Sequence, residues 1–168
     1  DIQMCKELGI DGVVFGALTK EGQVDVPMVK ELVSRSSPME VTFHRAFDLT
    51  SDPMKSLELL IDLGVHRILT SGQQFTAFEG RHSIKALVEQ SAGRIIILPG
   101  AGINEENVVE LLRQTGASEF HVSATGNRPS EMKYMNNKAL MGNGKSEYTI
   151  AIADQHRVKS FRALADSF

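Results

Sequence analysis

The chain has 168 residues, a formal net charge of −3 and one cysteine. The negative charge argues against a nucleic-acid partner, and no apolar run approaches the roughly 20 residues of a membrane helix. The single cysteine excludes an internal disulfide framework and indicates a reducing compartment such as the cytoplasm. Hydrophobic residues make up 42% of the sequence, so we expect one domain spanning residues 1–168 with an ample core.

Short apolar runs alternate with amphipathic segments along the chain, and Gly, Pro, Asp and Asn mark their ends. The predicted strands cover residues 12–16, 41–44, 67–70, 95–98 and 119–123. The predicted helices cover residues 1–8, 26–34, 53–63, 81–90, 104–115 and 154–165. Residues 125–149 are rich in Asn, Gly and Met, which predicts a long loop.

Five strands, each followed by a helix, predict a parallel sheet with right-handed crossovers. Two architectures fit this alternation. One is a five-stranded doubly wound sheet, and the other is part of a (β/α)8 barrel, which takes about 250 residues when complete. A partial barrel leaves two open parallel edges, which favour association into homo-oligomers.

The segment VTFHRAFD at residues 41–48 joins a buried strand to a polar cluster. Val41 and Phe43 point to one face of the strand, whereas Thr42 and His44 point to the other. Sites in α/β folds lie at the carboxyl ends of strands, so we expect a pocket at this edge. The candidate catalytic residues of that pocket are His44, Arg45, Asp48 and His121.

The last predicted strand contributes to the same pocket, because Glu119, His121 and Ser123 share one of its faces. Two histidines and a carboxylate can bind zinc or iron, or can act as acid and base near neutral pH. A hydrogen-bonded interior network of the same side chains is the structural alternative.

The glycine-rich loop at residues 100–102 follows an apolar strand and precedes a helix. Its backbone amides, together with donors in the turn after residue 70, can hold a phosphate or another small anion. A tight turn that simply requires glycine is the alternative. The candidate anion-binding residues are Thr70, Ser71, Gly72, Gly100, Gly102 and Ser123.

Five segments of the chain form a set: VFGAL at 14–18, TFHRAFD at 42–48, RILTSG at 67–72, PGAGI at 99–103 and EFHVSA at 119–124. In this order and at this spacing they resemble the CutC family of copper homeostasis proteins. The MKY and SEY segments late in the chain are similar to animal-type members. The resemblance implies a (β/α)8 barrel of CutC type, to which this chain contributes strands four to eight as the C-terminal portion.

The resemblance also implies copper as the partner, bound as Cu(I), and a role in controlling copper level in the cytoplasm or the nucleus. Cu(I) prefers thiolate and thioether ligands, but the cysteines linked to copper in animal-type members fall outside the matched segments. Cys5 lies in the first predicted helix and is expected to be a small apolar residue, so no copper ligands are evident. Two further functions stay open: a barrel enzyme acting on a small phosphorylated or anionic substrate, and a non-catalytic subunit.

Overall fold

A computed structural model describes residues 1–136, 138 and 148–167. The chain divides into two compact units, Asp1–Val122 and Ser123–Phe168. Among the described residues, no helix has both the length and the apolar character that crossing a membrane requires.

The first unit alternates helices with short strands. The helices are α1 (Ile2–Glu7), α2 (Val26–Ser36), α3 (Pro53–Asp62), α4 (Arg81–Ser91) and α5 (Val108–Thr115). The strands are β1 (Gly12–Phe15), β2 (Glu40–Phe43), β3 (Arg67–Thr70) and β4 (Ile96–Pro99), and a 3-10 helix (Arg45–Leu49) follows β2. The helices and strands predicted before residue 100 are confirmed, with ends that shift by at most two residues.

Aspartate and proline set the starts of α2 and α3; the prolines and the Asp52 cap are as predicted, and the Asp25 cap is an addition from the structure. Asp25 accepts a hydrogen bond from the Met28 amide at 3.1 Å, and Asp52 accepts one from the Lys55 amide at 3.0 Å. Each cap is followed by a proline in the first turn. Backbone N–H groups in that turn have no carbonyl acceptor within the helix, so proline, which lacks an N–H, breaks no hydrogen bond there.

The four strands form one parallel sheet in the order β1-β2-β3-β4. Val41, Phe43, Ile68 and Ile97 are buried on one face, and they pack in a common core with apolar residues of the helices. The alternate residues lie on the opposite face, where Val14 is 63% exposed. A strictly sequential order with helices on one face is expected of a barrel segment, whereas a doubly wound sheet needs a reversal of order and helices on both faces. The described part of the first unit is therefore consistent with a barrel segment, and the barrel itself stays a prediction.

The predicted fifth strand, residues 119–123, is wrong as a regular strand. Residue His121 makes one isolated parallel bridge with Gly100, and its amide donates to the Pro99 carbonyl at 2.8 Å. Backbone pairing beyond β4 is therefore minimal, and β1 forms the other edge of the sheet. Self-association through these edges stays a prediction, which sedimentation of the isolated chain would measure.

The predicted start of the helix after β4 is also wrong. Helix α5 begins at Val108, because the Asn104 side chain forms a turn of its own and accepts hydrogen bonds from the amides of Glu106 and Asn107. The predicted end is confirmed, since Gly116 closes the helix with a φ of 74°.

The described part of the second unit is a two-stranded antiparallel hairpin and a helix. Strand β5 (Thr125–Pro129) pairs with β6 (Thr149–Ala153), and α6 (Gln155–Asp166) follows. The predicted loop at 125–149 is therefore wrong at both of its ends, while residues 137 and 139–147 of that prediction lie outside the described residues. The closing helix is confirmed, and the Asp154 carboxylate caps it by accepting from the amides of His156 and Arg157.

Candidate functional site

The polar residues that follow β2 and β3 meet at the carboxyl end of the parallel sheet. The 3-10 helix after β2 turns the chain so that Asp48 faces the segment after β3. That segment, residues 71–80, is called the β3 loop below. The 3-10 helix and the β3 loop both begin at this edge of the sheet. Residues that are far apart along the chain therefore come into direct contact there.

The Asp48 carboxylate lies in a cradle of hydrogen-bond donors and is only 7% exposed. Its Oδ1 accepts from the Thr70 hydroxyl, from the Ser71 amide at 3.0 Å and from the Gln73 amide at 3.2 Å. Its Oδ2 accepts from Arg45 Nε at 2.7 Å. Thr70 and Ser71, predicted to bind an external anion, thus already hold an anion of the chain itself.

The cradle keeps Asp48 charged. Burial raises the pKa of the Asp48 carboxyl, but hydrogen bonds from Thr70 and Arg45 and from the amides of Ser71 and Gln73 outweigh burial and hold that pKa below its ordinary value. Gly72, the third predicted donor of this turn, gives its amide hydrogen to the Thr70 hydroxyl at 2.9 Å. The turn is therefore an internally satisfied network around one carboxylate.

The Arg45 guanidinium is fixed on one side and open on the other. Besides its bond to Asp48, its Nη2 donates to Ser71 Oγ at 2.8 Å, and the side chain is 44% exposed. The Ser71 hydroxyl has one hydrogen and lies 2.6 Å from the Gln74 carbonyl and 3.0 Å from Asp48 Oδ2, so the shorter contact takes that hydrogen. Arg45 Nη1 donates to no described residue, so one edge of this partly exposed guanidinium keeps unused donors.

His44 begins the 3-10 helix and caps it. Its Nδ1 accepts a hydrogen bond from the Ala46 amide at 3.1 Å. Because Nδ1 is an acceptor, the neutral ring carries its hydrogen on Nε2, which is then a donor without a partner among the described residues. The ring covers Gly16, where an added Cβ would lie 2.7 Å from ring atoms. His44 thus has a clear structural role and keeps one nitrogen for a ligand.

The glycine loop after β4 is shaped by packing. A Cβ added at Gly100 would lie 2.6 Å from the Leu69 Cδ1 methyl and 3.4 Å from His121 Cβ. The Gly100 amide donates to the Thr70 carbonyl at 2.9 Å, so it is engaged in the sheet. Gly102 has a φ of 68°, which only glycine adopts without strain. Packing and turn geometry account for both glycines, and anion binding by them stays a prediction.

The two candidate histidines share a face and an end of the sheet but do not meet. Strands β3 and β4 lie between His44 and His121, and three strand spacings of about 4.8 Å separate their backbones by about 14 Å. No group of three His, Cys, Asp or Glu side chains within the described ranges is arranged to hold a metal ion. Ser123 belongs to the second unit, so its predicted place in the pocket stays a prediction.

Sequence reasoning missed a charged network on the same sheet face. Arg67 binds the Glu119 carboxylate at 2.8 and 3.3 Å and also pairs with Glu40. The hydrogen bond from Arg67 lowers the pKa of Glu40, and its carboxylate partners, Glu119 first, raise the pKa of Arg67. The sequence pattern could have revealed this network. Glu40 lies two residues before Thr42, and Glu119 lies two residues before His121, so each pair shares one face of its strand. Arg67 secures the segment before His121, which the sheet itself holds by one bridge.

Comparisons with known proteins agree on one family. The family model of CutC matches residues 1–126. A CutC family protein of Parabacteroides distasonis is 47% identical over 163 residues, which cover 96% of this chain and 67% of that protein. The mouse and human proteins named copper homeostasis protein cutC homolog are each 45% identical over 167 residues, or 98% of this chain.

The same likeness holds in three dimensions. The crystal structure of CutC from Streptococcus agalactiae matches with a TM-score of 0.68 and 35% identity, covering 71% of this chain and 59% of that one. The chain spans 61% of the length of the mouse and human relatives.

Proposed function

Because the chain belongs to the CutC family, we propose that it takes part in copper homeostasis, the role stated in the names of its mouse and human relatives. In this proposal the chain handles copper as Cu(I) in the cytoplasm, and also in the nucleus, and helps to control copper level. Its four sequential parallel strands, together with the segment at His121, would form strands four to eight of a CutC-type barrel, and copies would associate through the open edges.

Family membership carries the copper proposal, and the described side chains add little to it. Cu(I) needs soft ligands, and Cys5 offers one thiol on α1. Cys5 is half-buried and lines a cavity of about 890 Å³ beside β1, together with apolar residues such as Ile2 and Phe15. One thiol in such surroundings is not a Cu(I) site, so we assign no copper ligand among the described residues.

Cellular copper content tests this proposal. Cells that encode the protein should change their copper content under copper excess when the gene is deleted, and re-expression of the wild type should restore it. Elemental analysis of washed cells measures the effect. Zinc and iron contents, measured on the same samples, serve as controls. Unchanged copper content and copper tolerance after deletion would contradict a role in copper homeostasis.

The open edge of Arg45 favours a second candidate function, a barrel protein that acts on a small phosphorylated or anionic substrate. A guanidinium binds phosphate or carboxylate through paired N–H donors, and Asp48 and Ser71 orient this one in advance. His44 contributes Nε2–H at the same edge of the sheet. His44 and His121 are the proposed acid and base candidates, each acting alone because they do not contact each other.

Substitution of Arg45 tests the second candidate. We expect Arg45→Gln to weaken inorganic phosphate binding by roughly tenfold or more, since a hydrogen bond to a charged group contributes about 1.5–3 kcal/mol. The phosphate affinity of Arg45→Lys should lie between those of the wild type and Arg45→Gln, because lysine keeps the charge but loses the planar pair of donors. Isothermal titration calorimetry gives the affinities. Arg35→Gln, on exposed α2, is the matched control. Equal phosphate affinity in wild type and Arg45→Gln would exclude this site.

A further inference from the structure

We propose that the Arg45 site takes an anion carried on a flat aromatic ring, with Phe75 as the stacking partner of that ring. This inference rests on the second candidate function and names its ligand class. Phe75 lies in the β3 loop and is 92% exposed. A single exposed phenylalanine is ordinary on a protein surface, so the argument depends on how this one is held and on what lies beside it.

The backbone on both sides of Phe75 is anchored by hydrogen bonds. The Gln74 carbonyl accepts from the Ser71 hydroxyl at 2.6 Å. The Thr76 amide donates to Glu79 Oε2 at 3.1 Å, while the Glu79 amide donates to the Thr76 hydroxyl at 3.2 Å. This reciprocal pair has the pattern of a capping box, here in the turn before α4, and it fixes the chain direction just after Phe75.

The ends of the β3 loop are packed against each other at close range. A Cβ added at Gly80 would lie 1.9 Å from the Ser71 carbonyl oxygen, and one added at Gly72 would lie 2.4 Å from the Gly80 carbonyl oxygen. Ala77 is fully buried, and its amide donates to the Ala101 carbonyl at 3.0 Å. The loop is therefore ordered before any ligand arrives, which removes a large entropic cost of binding.

The Ser71 hydroxyl connects the backbone next to Phe75 with the Arg45 guanidinium. Ser71 Oγ accepts from Arg45 Nη2 and donates to the Gln74 carbonyl, and Phe75 is the next residue. A charged donor and the backbone next to an exposed aromatic residue are thus joined by one network of hydrogen bonds. A ligand with an anionic group next to a planar ring can use both, through N–H donors to the anion and ring stacking on Phe75.

Three phosphate probes test this proposal by calorimetry on the full chain: inorganic phosphate, methyl phosphate and phenyl phosphate. We expect phenyl phosphate to bind roughly tenfold more tightly than methyl phosphate, since one aromatic pair contributes on that scale. Phe75→Ala should abolish this preference and leave methyl phosphate affinity unchanged. Leu8→Ala, which shortens another exposed apolar side chain far from the β3 loop in sequence, is the matched control.

The outcomes separate the inference from the function on which it rests. Equal affinities for phenyl and methyl phosphate in the wild type would overturn the aromatic ligand class while leaving an anion site at Arg45. A preference for phenyl phosphate that survives in Phe75→Ala would overturn the role of Phe75. If no probe binds, the second candidate function and this inference both fail.

Discussion

Replacing Asp48 by Asn should lower the free energy of unfolding at pH 7 by about 3 kcal/mol, the scale for breaking a buried, hydrogen-bonded charge pair. Asparagine has nearly the same shape, but its Nδ2 would face donors that now point at a carboxylate oxygen. Arg45 Nε and the amides of Ser71 and Gln73 cannot all be satisfied by a single amide oxygen. Urea unfolding of the wild type and the variant measures the difference.

The effect of Asp48→Asn on the free energy of unfolding should depend on pH. Because the folded state holds the pKa of Asp48 below its ordinary value of 3.8, the carboxylate stabilises the fold above that pH, and this contribution is lost as the pH falls below 3.8. The difference between wild type and Asp48→Asn should therefore shrink between pH 7 and pH 3. Asp11→Asn, at an exposed position, is the control. If the difference in free energy of unfolding stayed constant from pH 7 to pH 3, the lower stability of Asp48→Asn would come from packing alone.

Gly80→Ala should destabilise the protein by about 3 kcal/mol, at the upper end of the usual range for overpacking. The new methyl group would overlap the Ser71 carbonyl oxygen, a backbone atom that cannot move without breaking the Asp48 cradle. The φ of Gly80 is −82°, so the effect would be steric and not conformational. Chemical unfolding measures the stability of the purified variant.

Gly93→Ala provides the opposite case for comparison. Gly93 has a φ of 74°, and a Cβ there would have no atom within 4 Å. Its substitution should cost only about 1 kcal/mol, from backbone conformation alone. If Gly80→Ala were no more destabilising than Gly93→Ala, the close approach of the two ends of the β3 loop would be in doubt.

The sequence predicted the parallel sheet well because its signals are local. Runs such as Val41 to Phe43 and Arg67 to Thr70 identify strands by composition, and alternation correctly assigns Val41 and Phe43 to the buried face. The hairpin of the second unit was missed although Ile150 and Ile152 carry the period-two pattern of a strand. Its partner, TGNRP, has no such pattern, although it pairs with that strand in antiparallel register over all five residues.

The contacts of the candidate site join distant segments, which the sequence does not show. Binding of an external anion by Thr70 and Ser71 stays a prediction, and in the structure both residues donate to a carboxylate of the chain itself. That carboxylate is Asp48, more than 20 residues earlier, and it reaches them only because a 3-10 helix follows β2. No local pattern distinguishes a donor set that waits for a ligand from one that a side chain of the same chain already occupies.

Amide NMR during a titration with phenyl phosphate tests the central claim most directly, because it locates the ligand on the chain. We predict saturable shifts at Arg45, Gln74, Phe75 and Thr76, with the amides of α1 and α2 unchanged. A binding site at Arg45 and Phe75 would be contradicted by saturable shifts centred on the cavity beside β1. It would also be contradicted if no residue at the carboxyl edge of the sheet showed a shift.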